Sequence, residues 1–277
     1  MKRMVLKILD TIFAVIIANI MFLPVLIIIG SSVKSLPDIS SYPPKIFPVD
    51  FHFDNFAIVL NTGNIILYFR NTLILIVGNV VGTLLSSALV AYPLARMNFR
   101  GKNLIFALIL ATMMVPATTT IIPQFVMFSK IGWVDTLLPL VVPAFFAYPY
   151  NVFLFRQFFM TIPMGLDEAA RIDGCNRFQI FTHILVPLSK PIFITIGVMC
   201  MVSWWNELFS PLIYINSDEL KPLTVGALSV FKAHFQFVTM WNLQMALALI
   251  MIIPPILLYL FAQEYLVEGI KTSGIKG

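Results

Sequence analysis

Residues 245–261 read MALALIMIIPPILLYLF, an apolar run without a single charge. A run of this kind leaves a chain few choices. A hydrocarbon layer is about 30 Å thick and is crossed by about 20 residues of helix. Lipid offers no partner to a bare amide or carbonyl, so a crossing segment has to be helical. Candidate spans of this kind recur at 9–30, 69–95, 104–123, 137–158, 191–215 and 241–262. The chain is 59% hydrophobic and 11% charged. Soluble domains run at about 45–50% apolar and about 25% charged, so a soluble fold of this length would leave too much apolar surface in water. The expectation is an all-α, polytopic membrane protein with six transmembrane helices. The apolar runs are spread evenly, which predicts one membrane domain over 1–277.

The net charge of +5 does not point to nucleic acid, because the basic residues sit at the ends of apolar runs. Placing the N-terminus in the cytoplasm puts 12 of the 18 Lys and Arg on the inner side. That bias predicts a multi-pass protein with both termini inside. Lys2, Arg3 and Lys7 ahead of an apolar run resemble a signal peptide. The run is long and has no clean small-x-small cleavage site, so an uncleaved first span is expected. Cys175 and Cys200, one expected in the cytoplasm and one within a span, predict no disulfide. His52, His183 and His234 lie in three separate segments and lack metal-ligand spacing.

Pro116 and Pro123 in the third span, and Pro254 and Pro255 in the sixth, predict kinks. The outer loop at 31–68 carries SLPDISSYPPKIFPVDF and is expected to be extended and irregular. The inner loop at 159–190 is long, polar and helix-patterned, and loops of that length are usually functional. Its residues 163–191 read PMGLDEAARIDGCNRFQIFTHILVPLSKP. Pro163 suits a first helical turn, and Asp167 and Glu168 suit its positive end. Ala169, Ala170 and Arg171 favour helix, and Gly174 suits its stop. Asn176 with Gln179 reads as a capping box opening a second helix. There Phe178, Phe181, Ile184 and Leu185 share a face, and Pro187 and Pro191 close it. Ala169 and Ala170 would let a partner approach closely, flanked by the charges of Glu168, Arg171 and Asp173. The residues alone fit either a docking helix or an amphipathic helix lying on the membrane.

The stretch EAARIDG followed by IFTHILVPLSKP resembles the EAA loop of ABC-importer permeases. Glu168, Ala169, Ala170, Asp173, Gly174, Ile184 and Pro187 match that pattern, while Cys175 and Val186 replace its usual Ala and Leu. AYPLARMNFRGK at 91–102, MMVPATTTIIPQF at 113–125, WWNELFSPL at 204–212 and QEYLVEGIKTSGIKG at 263–277 are similar to the carbohydrate, maltose-type branch. The resemblance implies the type I ABC importer permease architecture in a bacterial cytoplasmic membrane. It implies that 159–190 forms a coupling loop, Arg171 included, seated in a separate ATP-binding subunit. It also implies a cytoplasmic tail at 263–277 inserted between two such subunits, with Gly269, Gly274, Lys276 and Gly277 as matching positions. The implied partners are a homologous permease, two ATP-binding subunits and an extracellular or periplasmic solute-binding protein. The implied cargo is a sugar, of the maltodextrin or raffinose kind.

The chain lacks the phosphate-binding loop G-x-x-x-x-G-K-S/T. Gly101 and Lys102 are followed by Asn103, and Arg96 stands where the first glycine would be. No cofactor is therefore expected on this chain, and ATP with its magnesium is assigned to partner subunits. No catalytic constellation is visible, and Asp167 and Glu168 are adjacent residues that do not face one another on a helix.

Polar residues inside a membrane are costly and often functional. Trp204, Trp205, Asn206 and Glu207 in the fifth span, with Asn79 in the second, are candidates to line a translocation path. Helix bracing or placement at the membrane interface is the other reading. Gly78, Gly82 and Ser86 have the spacing of a close helix contact. Glycerol-3-phosphate is a rival cargo, although no basic cluster lies within the spans. A secondary transporter is a rival class, and one intramembrane Glu207 fits its charge relays poorly.

Overall fold

The computed structural model describes residues 2–43, 48–234 and 240–274, with side chains of 7, 9–43, 48–228 and 240–263. No strand occurs among the described residues. The principal helices are α1 (Lys2–Ser32), α2 (Asp54–Asn61), α3 (Ile65–Arg96), α4 (Lys102–Thr112), α5 (Ala117–Lys130) and α6 (Pro149–Thr161). They continue with α7 (Gly165–Ile172), α8 (Arg177–Leu188), α9 (Lys190–Asn206), α10 (Phe209–Tyr214), α11 (Leu223–His234) and α12 (Trp241–Gly274). Close packing groups 1–65 with 227–254 in one unit, and 66–226 with 255–277 in another.

In the first unit, none of the most apolar stretch of α1 is buried. Phe13, Ile20 and Met21 project outward, as lipid-facing side chains do. The end of α1 would leave carbonyls unpaired. Asn55 of α2 supplies them, donating through Nδ2 to Ser32 O and Lys34 O, each at 2.9 Å. Its Oδ1 accepts from Asn242 of α12 at 2.9 Å. The expected irregular outer loop is thus partly helical. Asp54–Asn61 forms α2, and its buried Asn55 fastens it.

In the second unit, α3 is the axis. Residues 138–147 run alongside it and leave α-helical geometry, passing through a 3-10 turn at Val142–Phe146 to Ala147 at φ 60°. The break frees backbone groups that lipid cannot satisfy, and α3 satisfies them. Asn79 Nδ2 donates to Leu140 O at 2.9 Å, and Ser86 Oγ donates to Ala144 O at 2.9 Å while accepting from Ala147 N at 3.1 Å. Close approach is required, and the small residues permit it. A Cβ on Gly78 would lie 2.7 Å from Val141, and one on Gly82 2.9 Å from the Phe145 ring. The N-terminal half of α3 pins residues 218–226 similarly. Asn71 Nδ2 donates to Glu219 O and Lys221 O, Thr72 Oγ1 accepts from Leu223 N, and the Tyr68 ring packs on Gly226.

At the Asp135 turn, φ is 62° and the carboxylate accepts from Asn216 N, Ser217 N and the Ser217 hydroxyl. The Ser217 hydroxyl and these amides hold the Asp135 carboxyl below the usual carboxylate range.

Three expected spans differ in form. The third is a bent pair, α4 and α5, meeting at 93°. Its break lies at 113–116, with Pro116 as the N-cap of α5, whereas Pro123 is carried inside α5. The fifth is also bent, α8 and α9 meeting at 76°. It stops at Asn206, because Glu207 is extended and α10 is a separate helix. In the sixth, α12 does not end near 262 but runs to Gly274. Among the described residues, four helical runs are long and apolar enough to cross a membrane, or up to six when each bent pair is one span.

Gly82→Leu should lower stability by about 1–3 kcal/mol through overpacking against Phe145. Thermal unfolding of the purified, detergent-solubilised protein reads this as a lower midpoint. An unchanged midpoint contradicts the close contact.

Candidate functional site

The polar segment between α6 and α9 is held by its own chain before it presents anything outward. Pro163 lies outside α7, just ahead of the Met164 N-cap, rather than in the first turn. Asp167, in that first turn, points inward. Its side chain is 1% exposed, as is that of Arg96, and the two charges lie 3.6 Å apart. Arg96 is the last residue of α3, and its Nη1 also donates to Ile162 O at 2.8 Å. The start of α7 is therefore fastened to the end of α3 by a buried ion pair. Such a pair adds little net stability, but removing one partner strands a buried charge at a cost of about 3–5 kcal/mol.

The far end of α7 closes through a two-bond C-terminal motif. Cys175 N donates to Ala170 O at 2.9 Å and Gly174 N donates to Arg171 O at 3.1 Å. Gly174 takes φ 87°, a conformation that suits glycine because it has no Cβ. Asn176 and Gln179 then form the expected capping box, with bonds of 2.9 and 2.8 Å.

The buried face of α8 differs from the expected one. Ile180, Phe181 and Leu185 are buried and Ile184 is half-buried, while Phe178 is 67% exposed. The physical reason is a wide, π-helical stretch over Ile180–Leu185, which shifts the face relative to ordinary helical spacing. Ala170 is turned into the same cluster, against Phe155 and Phe159 of α6 and Tyr92 of α3. It faces the chain's own core, not the approach surface expected of it. Tyr92 also donates to Arg177 O at 3.0 Å, and its ring lies 5.2 Å from that of Phe181.

What remains outward is Glu168, Ala169, Arg171, Asp173 and Gly174, together with Pro187. Ile172 is 87% exposed among these charges, and Met164, Leu166 and Phe178 are exposed nearby. An apolar residue standing alone needs no explanation, but several on a rigid, charged, protruding turn fit a surface that another protein covers.

The sequence reading did not find the Arg96–Asp167 pair. A signal was available: Asp167 and Ala170 are three apart and so share a face, and a small apolar residue on that face suggests burial. Nothing in the spacing singled out Arg96 as the partner. Asn55 was missed for lack of any motif around it.

The other candidates are dispersed. Asn79 is fully buried and bonded to the Leu75 and Leu140 carbonyls. Trp205 is buried with its ring edge-on to Phe69 at 5.8 Å, and Trp204 packs with Leu75, Phe128 and Tyr214. Glu207 Oε1 accepts from Ser210 N at 2.8 Å, starting α10, and its carbonyl accepts from Thr224 at 2.7 Å. Of the five, Asn206 alone is exposed. Gly269 and Gly274 lie in the backbone of α12, and Lys276 and Gly277 lie outside the described residues.

Residues 78–272 match the family described as binding-protein-dependent transport system inner membrane component. The arabinooligosaccharides transport system permease protein AraQ of Bacillus subtilis is 33% identical over 83% of this chain and 81% of its own length. The melibiose/raffinose/stachyose import permease protein MelC of the same organism is 33% identical over 96% of each chain. Among solved structures, a chain of a bacterial ABC transporter that imports the acidic polysaccharide alginate superposes with a TM-score of 0.85. It is 27% identical, and the match covers 94% of this chain and 96% of that one.

Arg96→Ala or Asp167→Ala should each destabilise the protein by about 3–5 kcal/mol, and Arg96→Met combined with Asp167→Leu should cost less than either. Unfolding midpoints of the three purified variants test this. Equal losses for all three would contradict a desolvated pair.

Proposed function

The chain belongs to the binding-protein-dependent transport system inner membrane components, and from that membership we propose that it is the oligosaccharide-translocating permease subunit of an ABC importer. Members of the family are membrane-embedded transport subunits that work with ATPase and solute-binding components. They are not enzymes themselves. An oligosaccharide cargo is supported by relatives that carry arabinooligosaccharides, by those that carry melibiose, raffinose and stachyose, and by the full-length match to the latter.

In this reading the chain pairs with a homologous permease above two ATP-binding subunits, which hold ATP and magnesium. Both termini are cytoplasmic. A solute-binding protein delivers the sugar from outside, and 263–277 reaches between the ATP-binding subunits. The 159–190 segment is the coupling element, with Glu168, Ala169, Arg171, Asp173 and Gly174 forming its contact surface. The observation that carries this is α7 itself, fastened at its start by Asp167 to Arg96 and closed at its end by Gly174, with Ile172 87% exposed among charged residues.

The geometry supplies a route for force. A push on α7 reaches the end of α3 through Arg96 and Asp167. It reaches α6 through Ala170, Ile180 and Leu185 packed on Phe155 and Phe159. The bend between α8 and α9 passes the displacement to the span that carries Trp204 to Glu207. Closure of the ATP-binding pair thereby turns the pore from inward-facing to outward-facing. In this reading Asn206, the exposed one of these candidates, meets a sugar hydroxyl, while Asn79 and Trp205 brace the helices.

Ile172→Asp is a surface change that should alter the chain's own stability by less than about 0.5 kcal/mol. It should abolish ATP-driven oligosaccharide uptake in reconstituted importer, as should deletion of Glu168 to Gly174, with the chain still in the membrane. Normal uptake in either variant sinks the coupling role.

A further inference from the structure

Where α3 ends and α4 begins, a cavity of about 390 Å³ opens on the protein surface. Its polar lining includes Asn98, Asn103, Lys102 and Arg156, and its walls include Phe99 and Leu104. Two cations and no carboxylate face this space. Among the described residues neither cation pairs with an acid.

The two charges are held together by the packing of α4 on α6. Lys102 and Phe106 are four apart and share a face of α4. The Arg156 guanidinium, from α6, lies over the Phe106 ring at 4.0 Å. Arg156 Nε donates to Leu94 O at 3.1 Å, and Lys102 Nζ donates to Met97 O at 2.9 Å and Ala95 O at 3.5 Å.

Those bonds offer a bland account, in which both cations merely serve the last carbonyls of α3. The magnitudes do not close on it. A helix C-terminus carries about half a negative charge, and two full positive charges meet there. Arg156 uses one of its five N–H donors, and the rest have no acceptor among the described residues. The start of α4 adds positive potential, because its N-cap is Gly101, which has no side chain to accept from the first-turn amides. A cavity of this size with converging donors and excess positive charge fits an oxyanion with several acceptors.

What lies beside the cavity sets the kind of anion. Leu104, Ile105 and Leu108 of α4 are 65%, 45% and 59% exposed, forming an apolar track that begins at the cavity mouth. An anion seated between Lys102 and Arg156 has a hydrocarbon rail beside it. The geometry points to a binding site for the phosphodiester of an anionic phospholipid, whose headgroup lies between Lys102 and Arg156 and whose acyl chain follows Leu104 and Leu108. The inference rests on the membrane placement of α4 and is independent of the importer's cargo.

The test is native mass spectrometry of the purified, delipidated importer with lipid added back. Phosphatidylglycerol should be retained about 25-fold more than phosphatidylcholine, since each of the two basic residues contributes about fivefold toward an anionic lipid. Lys102→Gln and Arg156→Gln should each lower that retention about fivefold. Arg156→Lys should keep most of it, and Lys190→Gln, which removes an exposed charge elsewhere, should leave it unchanged. If Arg156→Gln does not assemble, Lys102→Gln and Arg156→Lys carry the test. Equal retention of the two lipids, or equal losses in Lys190→Gln and Lys102→Gln, overturns the site. Displacement of phosphatidylglycerol by millimolar inorganic phosphate overturns the lipid and assigns the cavity to a free anion.

Discussion

A backbone amide or carbonyl in lipid has no solvent to fall back on, and this one constraint explains most of the second unit. The chain does not run through it as unbroken rods. It breaks at Ala147 and at Glu207, and side chains take up the freed backbone groups. Asn79 and Ser86 of α3 serve the first break. At the second, Glu207 and Thr224 tie α10 and α11 together. The small residues Gly78 and Gly82 allow those bonds, since a larger side chain would hold α3 too far from residues 140–147. A polar residue inside a span is thus not in itself a sign of a transport path. The Asn79 amide nitrogen is committed to the Leu75 and Leu140 carbonyls.

The same economy shapes the polar segment between α6 and α9. Asp167 and Ala170 are spent inward, one on a buried charge and the other on an aromatic cluster. Glu168, Ala169, Arg171, Ile172 and Asp173 are thereby left outward on a helix paired to α3 at its start and closed by Gly174 at its end. A docking element that transmits motion has to be rigid, because a loose one would absorb displacement in its own conformational freedom. The buried pair fastens the start of α7 to the end of α3, at the expense of desolvating two charges.

Much of the fold was legible in the sequence because apolar length is a direct physical requirement for crossing lipid. The six stretches, the capping box at Asn176, the stop at Gly174 and the small face of α3 were all read from residues. The breaks were harder. Proline marks a break at Pro116, yet Pro24, Pro93 and Pro123 ride inside helices, so the residue type alone does not separate a kink from an end. The wide turn at Ile180–Leu185 escaped because the expected face assumed ordinary helical spacing, and this placed Phe178 inside. The inward turn of Asp167 depends on Arg96, seventy-one positions earlier, a pairing that no local pattern states.

The central claim is that the outward face of α7 is covered by an ATP-binding subunit. Position-specific cross-linking tests it most directly. In an importer carrying Cys175→Ser and Cys200→Ser, a cysteine-reactive photoprobe attached through Ile172→Cys should cross-link to the ATP-binding subunit. The same probe offered to Ala170→Cys should react poorly, because that position is turned inward. Labelling at Ile172→Cys that reaches only lipid, or no partner at all, would place α7 on the membrane surface and contradict the account.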